Sequence, residues 1–163
     1  MQRRGPAHVL PDDVDTDQII PGEYLTTVPD DELGDYVLVG FDETFPDRVD
    51  AGDIIVAGTN FGLGSSRESA PVALKQAGIG AVVAESFARI FYRNAINVGL
   101  PIATVESITD HVTTGDTIRV DIEGGSVTNE STGTEFAVEP LPPDLLEILD
   151  AGGLVAYRNA QTE

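Results

Sequence analysis

The stretch Asp53-Ile-Ile-Val-Ala-Gly58-Thr-Asn-Phe-Gly62-Leu-Gly64-Ser65-Ser66-Arg67-Glu68-Ser-Ala70-Pro71-Val-Ala-Leu-Lys-Gln76 decides the fold class. Asp53 to Gly58 carries a continuous apolar run ending in Gly, the pattern of a strand buried on both faces. A glycine-rich turn then leads into a helix over Ala70 to Gln76. Gly80-Ala-Val-Val-Ala84 repeats the buried-strand pattern, Phe87 to Asn94 reads as a helix with Ser86 as N-cap, and Leu100 to Val105 supplies another strand. Strands alternating with helices predict a parallel α/β layer. Working outward, Thr117 to Ile122 alternates in period two and Gly124-Gly125 turns it towards Ser126 to Asn129, a hairpin. Pro143 to Ala151 reads as a helix with Pro at its start and Gly152-Gly153 at its stop. On the other side, Pro21-Gly22 marks a turn and Gly22 to Asp35 reads as a polar loop or short helix. Residues after Arg158 are expected to fray. With no internal repeat, low-complexity tract or linker, residues 1–163 are expected to form one domain.

Composition narrows the function classes. The chain has 163 residues with 28 Asp and Glu against 9 Lys and Arg, a formal net charge of −19, and its single Lys is Lys75. Nucleic acid is a polyanion that requires a basic face, which these few scattered cations do not supply. So acidic a compact state repels itself unless salt screens it, and screening shortens to about 3 Å at 1 M salt. The expected setting is therefore a salt-rich, halophilic cytoplasm. The absence of Cys excludes disulfides, cysteine nucleophiles and an iron–sulfur cluster held by this chain. The longest apolar or Gly stretch, Ala77 to Ala84, is too short to span a bilayer, so no membrane partner is expected.

The residues most able to carry chemistry are Gly62-Leu-Gly64-Ser65-Ser66-Arg67-Glu68, placed where α/β proteins bind ligands, beyond the carboxyl end of a parallel strand. Glycines let the backbone approach a ligand, a helix N-terminus offers unpaired N–H groups, and Arg67 presents a fork suited to a carboxylate. Ser65 and Glu68 also have the spacing of a helix capping box. Pro71 argues against that use, since a helix capped at Ser65 would lose a hydrogen bond and gain a clash at Pro71. A helix beginning near Ser69 or Ala70 leaves Ser65, Ser66 and Arg67 in the loop. The loop lacks the Gly-Lys-Ser/Thr ending of a P-loop, and His8 and His111 have no triad or metal spacing. Asp12, Asp13, Asp15 and Asp17 lack the Gly and distal Glu of an EF-hand and read as a solvated turn, so no metal site is expected. Arg89 and Arg93, four apart on a predicted helix, could face a partner or a carboxylate, although Glu85 is spaced to pair with Arg89.

Taken together, Asp15-Thr-Asp17-Gln-Ile-Ile-Pro21, Asn60-Phe-Gly62-Leu-Gly64-Ser65-Ser66-Arg67-Glu68 and Ser86-Phe-Ala-Arg89-Ile-Phe-Tyr-Arg93-Asn94 closely resemble the archaeal-type 3-isopropylmalate dehydratase small subunits of the aconitase superfamily. Their order and spacing match as well. The resemblance implies a swivelling β/β/α three-layer domain, as in the aconitase C-terminal domain, closing over an active site carried mainly by a large subunit. It implies no cofactor on this chain and a [4Fe–4S] cluster on that partner. It also implies a hydro-lyase of leucine biosynthesis acting on a small hydroxy-acid dicarboxylate. Position by position, Ser65 matches the serine whose alkoxide removes the proton from carbon, Ser66 and Arg67 match substrate-carboxylate contacts, Gly64 belongs to the same substrate loop, and Asp17 matches an active-site aspartate.

A serine hydroxyl serves as base only where its alkoxide is stabilised by N–H donors and positive charge, which the Gly62-Leu-Gly64 turn and Arg67 offer. Leu63 and Ser69 depart from the commonest family pattern, which has Cys and His there. Tyr24-Leu25-Thr26-Thr27 matches the substrate-specificity loop, with Thr26 where isopropylmalate-type members often carry Arg. That departure leaves homoaconitate, citraconate or methyl-substituted malates as alternative substrates. A reading from a different class is a non-catalytic module that binds a small anion with the same loop; the pairing of Ser65 with Arg67 argues against it, because a sensor needs no base.

Overall fold

The computed structural model describes residues 2–65 and 67–161. Its frame is one seven-stranded sheet in the order β4-β3-β2-β1-β5-β6-β7. The strands are β1 (Gln2–Leu10), β2 (Ile54–Ala57), β3 (Ala81–Ala84), β4 (Ile102–Thr104), β5 (Thr117–Asp121), β6 (Ser126–Asn129) and β7 (Thr134–Ala137). The parallel ladder joins Ala7–Leu10 of β1 to β2, β2 to β3 and β3 to β4. The antiparallel ladder joins Gln2–Pro6 to β5, then β5 to β6 and β6 to β7. One long strand thus serves both halves, giving its first five residues to one and its last four to the other. Nothing in its sequence advertises this: Gln2-Arg-Arg-Gly-Pro-Ala-His-Val-Leu10 has neither a long apolar run nor regular alternation, and the sequence reading found no strand there. Its pairing partners, the fully buried Ile54 and Ile118 among them, override its weak local propensity.

The strand–loop–helix units lie close to their expected places. β2 and β3 are buried along their whole length, as apolar runs in a parallel sheet must be. Helix α4 (Ser69–Gln76) begins where Pro71 allows, with the proline in its first turn and Glu68 as N-cap. The capping box spaced over Ser65 and Glu68 is not formed. Before β2 lie three short helices, α1 (Thr16–Ile19), α2 (Tyr24–Thr27) and α3 (Phe45–Arg48), with a 3-10 helix at Asp30–Tyr36. Of the polar loop or short helix expected over Gly22 to Asp35, the structure takes the helical form, in two short pieces. Buried Leu33 anchors it against α4.

Helix α5 (Arg89–Val98) starts two residues later than expected, and its N-cap is Ala88 rather than Ser86. Ser86 Oγ instead accepts the Asn60 N–H at 2.8 Å, and Phe87 forms an isolated parallel bridge with Phe61. The chain stays extended through this step because the loops after β2 and β3 continue side by side beyond the strands. The hairpin β5–β6 and helix α6 (Pro143–Asp150) match expectation. Of the residues expected to fray after Arg158, Asn159 to Gln161 instead continue α7 (Leu154–Gln161), and the last two lie outside the described residues. Helix α5 packs on α4, α6 and α7, so parallel half, antiparallel half and helices make the expected α/β fold with its β/β/α arrangement. Among the described residues, no helix is long and apolar enough to cross a membrane.

Candidate active site

The site is built where β1, β2 and β3 end. Three loops leave these strands and remain in ladder register: Thr16 N–H donates to Leu63 O (2.8 Å), Gly62 N–H to Val14 O (2.7 Å), Phe61 N–H to Ser86 O (3.1 Å) and Ala88 N–H to Phe61 O (3.0 Å). The glycine loop is the middle one. Gly62 adopts φ +85°, and a Cβ there would meet the Phe91 ring at 2.2 Å, so only glycine lets the loop lie on the core. Gly64 at φ +106° repeats the requirement beside Thr16 Oγ1.

The acidic cluster Asp12 to Asp17 is solvent-facing, with Asp12, Asp13 and Asp17 exposed as the solvated-turn reading expects, and it also holds this loop. Asp12 Oδ1 accepts the Thr59 N–H (2.8 Å) and Asp13 Oδ1 accepts from Asn60 Nδ2 (3.2 Å). Asp15 caps α1 through a reciprocal capping box with Gln18, its Oδ1 taking the Gln18 N–H at 2.7 Å. Asp17 Oδ1 accepts from Arg67 Nη1 (3.0 Å) and from the Gly22 N–H (3.1 Å). This exposed acidic run follows the end of β1, and its carboxylates each find a donor. Among the described residues, no group of three His, Cys, Asp or Glu is placed to hold a metal ion.

Ser65 is exposed, and its Oγ lies 3.3 Å from the hydroxyl of Thr16, which is buried at 2% exposure. Thr16 Oγ1 also lies 3.4 Å from Ser65 O. This partner was missed by sequence reasoning; the available signal was its place between Asp15 and Asp17 in a motif otherwise read only for its carboxylates. Arg67 adds a second bond from Nη1 to Ile20 O (3.2 Å), and its side chain is 28% exposed. Asp17, 67% exposed, is held below the ordinary aspartate pKa chiefly by the Arg67 hydrogen bond and next by the Gly22 N–H, so it stands as an anion against Arg67. Ser66 lies outside the described residues.

The Tyr24–Thr27 segment, α2, follows directly on Gly22, whose missing side chain leaves room for Arg67: a Cβ there would sit 3.1 Å from Nη2. Tyr24 stacks on Tyr36 with centroids 4.7 Å apart, Leu25 is half-buried, and the hydroxyls of Thr26 and Thr27 donate to Glu23 O at 3.2 and 2.9 Å. The structure thus brings Asp17, Gly64, Ser65, Arg67 and the Tyr24–Thr27 loop to one end of the parallel ladder. Helix α4 begins beside them with no side-chain cap on its first N–H groups.

Comparison with known proteins matches residues 39–107 to the aconitase C-terminal domain. A 3-isopropylmalate dehydratase small subunit from Methanopyrus kandleri is 56% identical over 93% of this chain and 89% of its own. The chain belongs to the 3-isopropylmalate dehydratase small-subunit family. A methanogen homoaconitase small subunit from Methanothermobacter thermautotrophicus is 51% identical over 94% of this chain and 89% of its own. Among solved structures, a 3-isopropylmalate dehydratase from Methanocaldococcus jannaschii superposes with a TM-score of 0.93 at 48% identity, covering 99% of this chain and 96% of that one. For a member of the 3-isopropylmalate dehydratase small-subunit family, the match across nearly the whole chain includes β1 and the acidic cluster, the parts local sequence signals read least well.

Proposed function

We propose that this chain is the small subunit of a hydro-lyase that interconverts 2-isopropylmalate and 3-isopropylmalate by dehydration and rehydration in leucine biosynthesis, active only with a large subunit. The observation that carries the reading is Ser65 beside buried Thr16, with Arg67 tethered next to it, in a chain 56% identical to a relative of that name. Ser65 Oγ takes the proton from substrate carbon as the neighbouring C–O bond breaks, and returns one to carbon on rehydration at the adjacent position. Thr16 donates a hydrogen bond to the Ser65 alkoxide that takes this proton, a charge-assisted bond stronger than the neutral one, and so helps hold the serine in its basic form. Arg67 binds a substrate carboxylate, Asp17 orients the guanidinium, and Ser66 and the Gly64 backbone complete the carboxylate contacts.

The donor set of this chain does not fit an iron–sulfur cluster, since it has no Cys. The [4Fe–4S] cluster is assigned to the large subunit, where its open iron would act as Lewis acid on the leaving hydroxyl. Substrate choice falls to Tyr24–Thr27. With both threonine hydroxyls turned onto Glu23 O and no cation within the loop, the segment suits an apolar isopropyl group. Homoaconitate is the second reading, favoured by the 51% identity to a homoaconitase small subunit. Mixing the chain anaerobically with the large subunit of the same source and offering 2-isopropylmalate and homocitrate separately tests both. Turnover of 2-isopropylmalate alone is expected; turnover of homocitrate alone establishes the second reading, and turnover of neither with a formed complex overturns both.

A further inference from the structure

Helix α5 buries Phe91, Ala95 and Ile96 and leaves Arg89, Ile90 and Arg93 exposed, Ile90 to 52%. At 100° per residue these three fall within one 100° arc, a single face of the first turn and a half. Glu85, spaced to pair with Arg89, lies outside the helix and accepts from Thr109 Oγ1 instead. Among the described residues Arg89 and Arg93, like Arg119 and Arg158, have no hydrogen bond or ion pair, whereas Arg4, Arg48 and Arg67 each face a carboxylate and Lys75 donates to the Val98 carbonyl; only Arg89 and Arg93 share one helix face. In a chain of net charge −19, two unneutralised cations one turn apart around an exposed isoleucine form a local inversion of the field. The inversion borders the site, since Phe91 packs under Gly62 and Ala88 bonds to Phe61.

We propose that the Arg89–Ile90–Arg93 face is the docking surface for an acidic patch on the large subunit, with Ile90 entering an apolar contact between two ion pairs; this rests on the small-subunit reading. Charge complementarity selects the occupant: an acidic partner is repelled by most of this surface and attracted here, which orients its approach beside Ser65.

The test measures the dissociation constant of the full chain and the large subunit at 0.2 and 2 M KCl. Arg89→Glu with Arg93→Glu is expected to weaken association about tenfold or more, most strongly at low salt. Ile90→Ser is expected to weaken it about fivefold at both salts. Arg3→Glu with Arg119→Glu, the same change of net charge on the antiparallel half, is expected to alter it less than about threefold. At saturating large subunit, kcat and KM of the α5 variants are expected to stay within about twofold. Equal weakening by both double variants, or unchanged affinity of the α5 variant, would overturn the surface alone. A raised substrate KM with intact affinity would reassign the arginines to substrate and overturn it too. Failure of the unsubstituted chain to associate would overturn the subunit reading together with the surface.

Discussion

Replacing Thr16 by Val removes one hydroxyl from a buried position without changing side-chain volume appreciably. The hydroxyl lies 3.3 Å from Ser65 Oγ, longer than the usual O–H···O separation, so in the resting state it contributes little. Once Ser65 carries negative charge, the same group becomes a donor to an anion, an interaction worth about 1.5–3 kcal/mol. Because the resting serine is a hydroxyl and its alkoxide must form before it can take the proton, losing that stabilisation corresponds to a fall in kcat of up to roughly 10- to 150-fold. KM and assembly with the large subunit should hardly move, because Thr16 N–H keeps its bond to Leu63 O and the loop remains in place. The assay is steady-state turnover with saturating large subunit, repeated in a Ser65→Ala background, where Thr16→Val should cost nothing further because its acceptor is gone. A Thr16→Val enzyme within about twofold of the parent kcat would refute the assigned donor role.

Arg67→Lys keeps the charge and loses the planar guanidinium, whose Nη1 serves both Asp17 and Ile20 O and whose remaining N–H groups are left for substrate, so kcat/KM should fall about 10²-fold or more, chiefly through KM, as measured on a substrate series; a loss below tenfold would remove Arg67 from carboxylate binding. Gly62→Ala should destabilise by about 2–5 kcal/mol in urea denaturation, the sum of a strained positive φ and overpacking against Phe91, and a cost under about 1 kcal/mol would contradict that contact. Asp17 has its pKa lowered in the folded chain, so its small contribution to stability is present above the unfolded-state value and lost as pH falls through the lower folded value. Carboxyl NMR should place its midpoint below that of an ordinary aspartate, and Asp17→Asn should leave stability above about pH 5 the more affected side. The melting temperature should rise by several degrees or more between about 0.1 and 2 M KCl as the −19 charge is screened, and an invariant value would remove salt from the account.

How much of this could be read in advance depended on where each signal was stored. β2, β3 and α4 announce themselves because burial on both faces demands unbroken apolar runs and because Pro71 forbids an earlier helix start. The glycine loop was legible for the same reason: Gly62 and Gly64 are required by backbone geometry. β1 was not, since a strand that pairs two ways at once carries a mixed pattern that only its neighbours explain. Missing β1 concealed the work of the Asp12–Asp17 segment, whose carboxylates bind loop amides and Arg67 rather than water alone. Ser86 has the residue type of a helix cap, but its hydroxyl is taken by Asn60 N–H across the gap between two loops, a competition invisible along the chain. Thr16 was overlooked because a threonine between two aspartates draws no notice until its hydroxyl is seen beside Ser65.

The central claim is that Ser65 supplies the base to a site completed by the large subunit. Ser65→Ala, reconstituted anaerobically with that subunit, should form the complex with unchanged affinity and turn over 2-isopropylmalate at least about 10³-fold more slowly. A reconstituted Ser65→Ala enzyme with full activity would contradict it.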